Sequence, residues 1–238
     1  MNRIAPFANI PPVVKNLLII NIIFFIATML FRDGNNYLLV QHLGVYYFDS
    51  PNFRIWQVIS YMFMHSPVSF AHILFNMFAL YTFGATLEYV MGPKRFLNFY
   101  LITGLGALAL QMLVQAIEVY SITGGITIDV GSYTSTDQEA LNKLGEIYYG
   151  PMLGASGAIF GLLIAFGMLF PNAELFILFI PAPVKAKYII PIYVVLEVVL
   201  GVAQFSGDSV AHFAHIGGAL FRFILVKLWG LKRPGGFI

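Results

Sequence analysis

Residues Met152 to Phe170 read MLGASGAIFGLLIAFGMLF. No charge interrupts the run, and about 20 predominantly apolar residues are what a helix needs to cross a bilayer. The run therefore predicts a membrane span. Its first half is crowded with small residues: Gly154, Ala155, Ser156, Gly157, Ala158 and Gly161. Small residues let two helix backbones approach closely. They also leave the Ser156 hydroxyl open to a reacting group. The stretch alone carries both readings, a helix-packing seam or an accessible nucleophile. The rest of the chain decides between them.

The surroundings of that run are equally apolar. The chain has 238 residues, 59% hydrophobic and 10% charged, with a mean hydropathy of +0.81. A soluble domain carries about 25% charge and about 45–50% apolar residues, so this is a polytopic membrane protein. A net charge of +2 gives no reason to expect nucleic acid. The absence of cysteine excludes disulfides, thiolate nucleophiles and Cys-ligated metals. Arg3 and Lys15 precede the apolar run Leu17 to Phe31, which imitates a signal peptide. No small-residue cleavage site follows it and further spans do, so it is expected to be retained as a first helix.

Six segments are long and apolar enough to span: about 13–31, 70–88, 96–120, 152–170, 188–205 and 210–229. The expected fold is one all-α domain over residues 1–238, a six-helix membrane bundle. If the N-terminus is cytoplasmic, Arg3, Lys15, Lys94, Arg95, Lys185, Lys187, Lys227, Lys232 and Arg233 collect on the inner side. Only Arg32, Arg54 and Lys143 fall outside, so the Lys/Arg excess places both termini in the cytoplasm. The long connection 32–69, rich in Tyr46, Tyr47, Phe48, Phe53 and Trp56, is expected to lie at the headgroup level. The polar connection 121–150 reads as mobile. The piece 176–183, broken by Pro181 and Pro183, is too short to span and is expected on the inner surface.

Polar side chains inside spans are costly and are hypotheses of function. His72 and Asn76 are four residues apart, on one face of the outer half of the second span. Ser156 opens the fourth span from the outer side. His215 lies about 8 Å deep in the sixth. Three helices thus bring these groups to one level. A serine becomes a nucleophile when a base takes its proton, and a histidine serves as that base. The tetrahedral intermediate needs aimed donors, which Asn and His side chains and a helix-N-terminal N–H can supply. No carboxylate is expected at this depth to orient the histidine, which makes a Ser–His dyad the economical reading. Metal binding is the rival, with His65, His72, His212 and His215 as conceivable ligands. No Asp, Glu or Cys of the outer half completes a set, so neither a metal nor a cofactor is expected. His212 and His215 share a helix face, and one of them suffices as the base.

Taken together, Gly154-Ala155-Ser156-Gly157, His72 with Asn76, and His215-Ile-Gly-Gly218 resemble the rhomboid family of intramembrane serine proteases. Glu88 with Gly92, and the aromatic-basic first loop around Arg54 and Trp56, are also similar to it. The resemblance implies that Ser156 is the nucleophile and His215 the general base. It implies that His72 and Asn76, with the Ser156 amide, form the oxyanion hole, that Gly154 keeps the backbone open, and that Gly218 lets two helices pack closely. Substrates would be membrane-anchored proteins cut in or near their transmembrane segments, and residues 205–208 would belong to a lateral gate and cap. The expected setting is a bacterial cytoplasmic membrane with the site facing outward. A catalytically dead relative that binds membrane proteins, and a channel or transporter, are the alternatives.

Two features depart from the family pattern. Ser66-Pro67-Val68-Ser69 lengthens the gap between His65 and His72. Arg222 stands where a small residue is common, and a guanidinium inside a span needs a partner or an escape to the surface. Glu197, the other deeply placed charge, is the partner expected for it.

Overall fold

The computed structural model describes residues 10–34, 36–175, 183–203 and 211–230. The chain is mostly helical. Helix α1 (Pro12–Leu30) is followed by a two-residue hairpin, β1 (Arg32–Asp33) with β2 (Asn36–Tyr37), and by the short helices α2 (Leu38–Leu43) and α3 (Gln57–Ser60). A continuous helix then runs from Phe70 to Met91. It comprises α4 (Phe70–Ala79), one π-helical turn (Leu80–Gly84) and α5 (Ala85–Met91). The long α6 (Pro93–Thr123), the amphipathic α7 (Gln138–Tyr149), α8 (Ser156–Leu169), α9 (Ala186–Ala203) and α10 (His212–Leu228) complete the order. A second ladder, β3 (Glu174–Leu175) with β4 (Val184–Lys185), precedes α9.

Four of these helices are long and apolar enough to cross a membrane: Pro12–Leu30, Phe70–Met91, Pro93–Thr123 and Ala186–Ala203. Large apolar side chains face outward along α1, α4 and α9, among them Ile23, Ile26, Phe75, Phe78, Val195 and Val202. Such a surface is stable only against lipid or another apolar partner. The fourth expected span is shorter than the sequence suggested. Helix α8 holds 14 residues and begins at Ser156, because the segment before it is fixed in extended form. Val45 and Met152 exchange both backbone hydrogen bonds, at 3.1 and 2.8 Å, and the Gly154 N–H donates to the Tyr61 carbonyl at 3.0 Å. Helix α10 has 17 residues.

Helices α6, α8 and α10 form the centre. A side chain at Gly218 of α10 would overlap the Gly157 carbonyl of α8, and one at Gly161 would overlap Thr103 of α6. The small residues of the opening stretch are therefore a packing seam as well as the approach to a serine. The start of α1 is tied to α5 by Glu88, whose two carboxylate oxygens accept the N–H groups of Val13 and Val14 at 3.0 and 2.8 Å. Those are helix N-terminal donors without an intrahelical acceptor, and a carboxylate is their best partner.

The connection 121–150 is packed rather than mobile. Asp137 caps α7 by accepting from the N–H groups of Glu139 and Ala140. Leu144, Ile147 and Tyr148 then bury against Tyr47 and Val119. The Tyr148 hydroxyl donates to Asp49 at 2.7 Å, and the Ile128 N–H donates to the same carboxylate oxygen at 2.9 Å. Burial, and the Asp49 carboxylate beside it, hold the Tyr148 phenol above its ordinary pKa. The segment reads as polar in the sequence because its apolar stripe is confined to positions i, i+3 and i+4 of one short helix. Most of the expected inner-surface piece 176–183, and the expected gate and cap at 205–208, lie outside the described residues.

Candidate active site

Ser156 is the first residue of α8. Its N–H therefore has no acceptor within the helix and points out from the helix N-terminus. The side chain is partly exposed, in contrast to Ala155 and Gly157 on either side of it. Gly154, just before, has φ of +126°, a conformation that side chains rarely adopt. A methyl group placed there would stand 3.1 Å from His72 Nε2 and 3.4 Å from Ser156 Oγ. The missing side chain of Gly154 is thus the space between the serine hydroxyl and the His72 ring.

His72 projects from the first turn of α4. Its Nδ1 accepts the backbone N–H of Ser66 at 3.3 Å. An imidazole that accepts at Nδ1 carries its proton on Nε2 when neutral. The nitrogen facing Gly154 and Ser156 is accordingly an N–H donor. One turn later Asn76 is buried, and its Nδ2 donates to the His72 carbonyl at 2.7 Å. One of its two amide protons remains for another acceptor. Among the described residues Asn76 Oδ1 has no partner.

His215 lies in the first turn of α10. Its ring stacks on Phe160 of α8, with centroids 5.0 Å apart and planes within 2°. Phe160 follows Ser156 by one helical turn, so the imidazole rests against the same helix that presents the hydroxyl. The Nδ1 atom of His215 lies 2.9 Å from Glu197 Oε2 of α9. Facing a carboxylate, Nδ1 is the protonated nitrogen and Nε2 keeps its lone pair. The two histidines thus hold opposite tautomers, one a donor and one a base.

The same Glu197 oxygen lies 2.6 Å from His212 Nδ1. This corrects two expectations. A carboxylate does reach the histidine, and it is not paired with Arg222. The Arg222 guanidinium is fully buried and lies 3.2 Å above the Phe99 ring. Among the described residues its three nitrogens have no hydrogen-bond partner. Glu197 finds the imidazoles instead, because they are the polar groups of α10 level with it: Gly201, one turn further along α9, packs on His212. The absence of an acid that could complete a metal set is corrected as well. Glu197, His212 and His215 bring three ligand atoms within 4.8 Å of one another. The two close contacts have hydrogen-bond lengths.

His65 is fully buried in the loop before α4, its ring centroid 5.2 Å from that of His72. Burial, and then the neighbouring His72, push its pKa down to about 3. It is a neutral, packed ring behind His72.

This is a helical membrane protein that carries polar side chains inside its helices, His72 beside the space next to Ser156 and Glu197 with His212 and His215. The rhomboid domain family model matches residues 52–230, and the chain belongs to the rhomboid family. It is 28% identical over 221 residues to an uncharacterized mitochondrial rhomboid protein of Schizosaccharomyces pombe, covering 80% of this chain and 56% of that one. It is 26% identical over 226 residues to the mitochondrial RHOMBOID-like protein 12 of Arabidopsis thaliana, covering 94% and 60%. It is 27% identical over 196 residues to the mitochondrial presenilin-associated rhomboid-like protein of Homo sapiens, covering 72% and 43%. The chain spans about half the length of these curated relatives. Their mitochondrial setting overturns the expectation of a bacterial cytoplasmic membrane, which charge and hydropathy had no power to specify.

Proposed function

We propose that this chain is an intramembrane serine endopeptidase that cleaves membrane-anchored proteins in or near their transmembrane segments. The observation that carries the reading is the pair of histidines in opposite tautomers, His72 beside the Ser156–Gly154 space and His215 stacked on the helix that begins with Ser156. His72 offers Nε2–H toward the Ser156–Gly154 space, while His215 keeps a free Nε2 beside α8. Hydrolysis by a serine needs one ring to donate and another to accept.

In this mechanism His215 Nε2 takes the Ser156 proton as Oγ attacks the scissile carbonyl. The oxyanion so formed accepts from His72 Nε2–H, from the free amide proton of Asn76 and from the Ser156 N–H. His215 then returns the proton to the leaving amine, and the peptide bond breaks to give an acyl-enzyme. A water molecule gives one proton to His215 and attacks the ester carbonyl; His215 then returns that proton to Ser156 Oγ as the C–Oγ bond breaks, which releases the carboxylic acid and restores the free serine. Phe160, stacked on His215, holds the ring plane along α8 throughout.

The proposed setting is a six-span topology in which α8 and α10 join the four longer helices, with both termini on one side of a mitochondrial membrane. The polar cluster occupies one end of these helices, which supports a site reached by water from one face and argues against a path through the bilayer.

The test is labelling with a serine-reactive fluorophosphonate, alongside cleavage of a single-span substrate in detergent. The native chain is expected to label and cleave, and Ser156→Ala to do neither. A Ser156→Ala protein that still labels removes Ser156 from the mechanism. A folded native chain that neither labels nor cleaves identifies a relative that only binds membrane proteins.

A further inference from the structure

Glu197 is a charged side chain in the body of an apolar helix, and its side chain is 12% exposed. A carboxylate within an apolar helix is costly unless it is paired. Its partners therefore say why it is there. One oxygen, Oε2, takes both contacts, from His212 Nδ1 at 2.6 Å and from His215 Nδ1 at 2.9 Å. The two rings meet edge to face, with planes 87° apart and centroids 6.4 Å apart. Their N–H groups thus approach the oxygen from different directions. The two imidazoles are themselves buried, with side chains 8% and 11% exposed.

We propose that Glu197 is a positioning residue for His215, making the site a Ser156–His215–Glu197 triad, with His212 fixing the carboxylate. The inference rests on the protease reading above. Accepting Nδ1–H holds His215 in the tautomer whose Nε2 lone pair can take the serine proton. When that proton arrives, Nδ1–H stays on the ring and the carboxylate stabilises the imidazolium. No proton passes to Glu197. His212 supplies the second donor, which keeps Glu197 in one rotamer. Because Glu197 belongs to α9 and both histidines to α10, the two bonds also set the rotation of one helix against the other.

Among the described residues, the titratable groups near His215 are Glu197 from α9, His212 from its own helix and His72 from α4. Where α6 meets α10, beside Gly217, it contributes Gly106, Ala107 and Leu110, none of which titrates. Among the described residues Glu197 is the anion in contact with His215. Removing it withdraws the negative charge that the imidazolium would face during the reaction.

The experiment measures kcat, KM and the pH dependence of kcat/KM for the full chain and for Glu197→Gln on a single-span substrate. The Gln variant is expected to lose about 100-fold or more in kcat with KM nearly unchanged. The acidic limb of its profile should move to lower pH, and Glu197→Asp, which keeps the charge, should move it back. A purely architectural role would lower the yield of active protein and leave the limb in place. Should Glu197→Gln not fold, 15N spectra of the native, histidine-labelled chain decide: His215 protonated on Nδ1 supports the triad, and on Nε2 overturns it. The inference also fails if kcat of the Gln variant stays within about threefold of native. It fails too if exhaustive chelation abolishes native cleavage and Zn2+ restores it, which would give the three side chains to a metal. A native chain that labels through Ser156 while Glu197→Gln behaves as native sinks the triad and leaves the protease reading standing.

Discussion

At the scale of single residues, the site depends on what Gly154 lacks. Its φ of +126° strains any other residue, and a Cβ there would crowd His72 Nε2 at 3.1 Å. Gly154→Ala is therefore expected to cost about 1–3 kcal/mol of stability through backbone strain. It should cut cleavage further, by about 100-fold, because the methyl occupies the space where a substrate carbonyl would sit. Thermal unfolding and cleavage rate, measured on the same preparation, check both. Ser156, His72, Asn76 and His215 stand out in the sequence as candidates because polar residues within apolar segments are few, and Gly154 through the family resemblance. Glu197 was visible too, but its partner was not. Depth along a helix is known from sequence only to within about 2–4 residues, and the rotation of α9 about its axis is not known at all. Those two uncertainties are what separated Arg222 from His215 as candidate partners.

At the scale of elements, catalytic geometry follows from how closely α10 lies on α8. Gly218 passes against the Gly157 carbonyl with no room for a Cβ, one helical turn from His215. Overpacking a tight contact costs about 1–3 kcal/mol. Gly218→Val is expected to pay that in stability and to lose most cleavage, since a displaced α10 carries the base away from Ser156. Fluorophosphonate labelling of the folded fraction distinguishes the two effects: labelling per folded molecule should fall well below native. The sequence announced this seam through its small residues. It did not announce that α8 would start at Ser156, four residues after the apolar run begins. That boundary is imposed by the pairing of Val45 with Met152 and by the Gly154 bond to Tyr61, contacts to segments far away in the chain.

At the scale of the whole molecule, the loop unit around the site has its own acid sensitivity. His65 is buried and stays neutral, with its pKa pushed down to about 3. In the unfolded chain it titrates near its ordinary value of about 6.5. Above that pH it contributes no pH dependence. Below it the unfolded state binds a proton that the folded state refuses, so stability falls as pH drops from about 6.5 toward about 3, by up to about 1.4 kcal/mol per unit. His65→Asn should be less stable at pH 7 yet show a shallower decline between pH 6.5 and pH 5. An equally steep decline in the variant, followed by thermal unfolding, would assign the acid sensitivity to other groups.

The sequence by itself determined that this is a helical membrane protein with four helices long and apolar enough to cross a membrane, and which polar side chains stand out within its apolar segments. Those properties depend on local composition and periodicity, which the chain carries regardless of how it folds. The tertiary structure decided which side chains meet: His72 with the space beside Gly154, Glu197 with His212 and His215, Arg222 with Phe99, and α7 with the first loop. Such pairings depend on the rotation and depth of each helix relative to its neighbours. Packing sets both, because an apolar helix surface fits its surroundings almost equally well at many rotations until small residues and buried charges single one out.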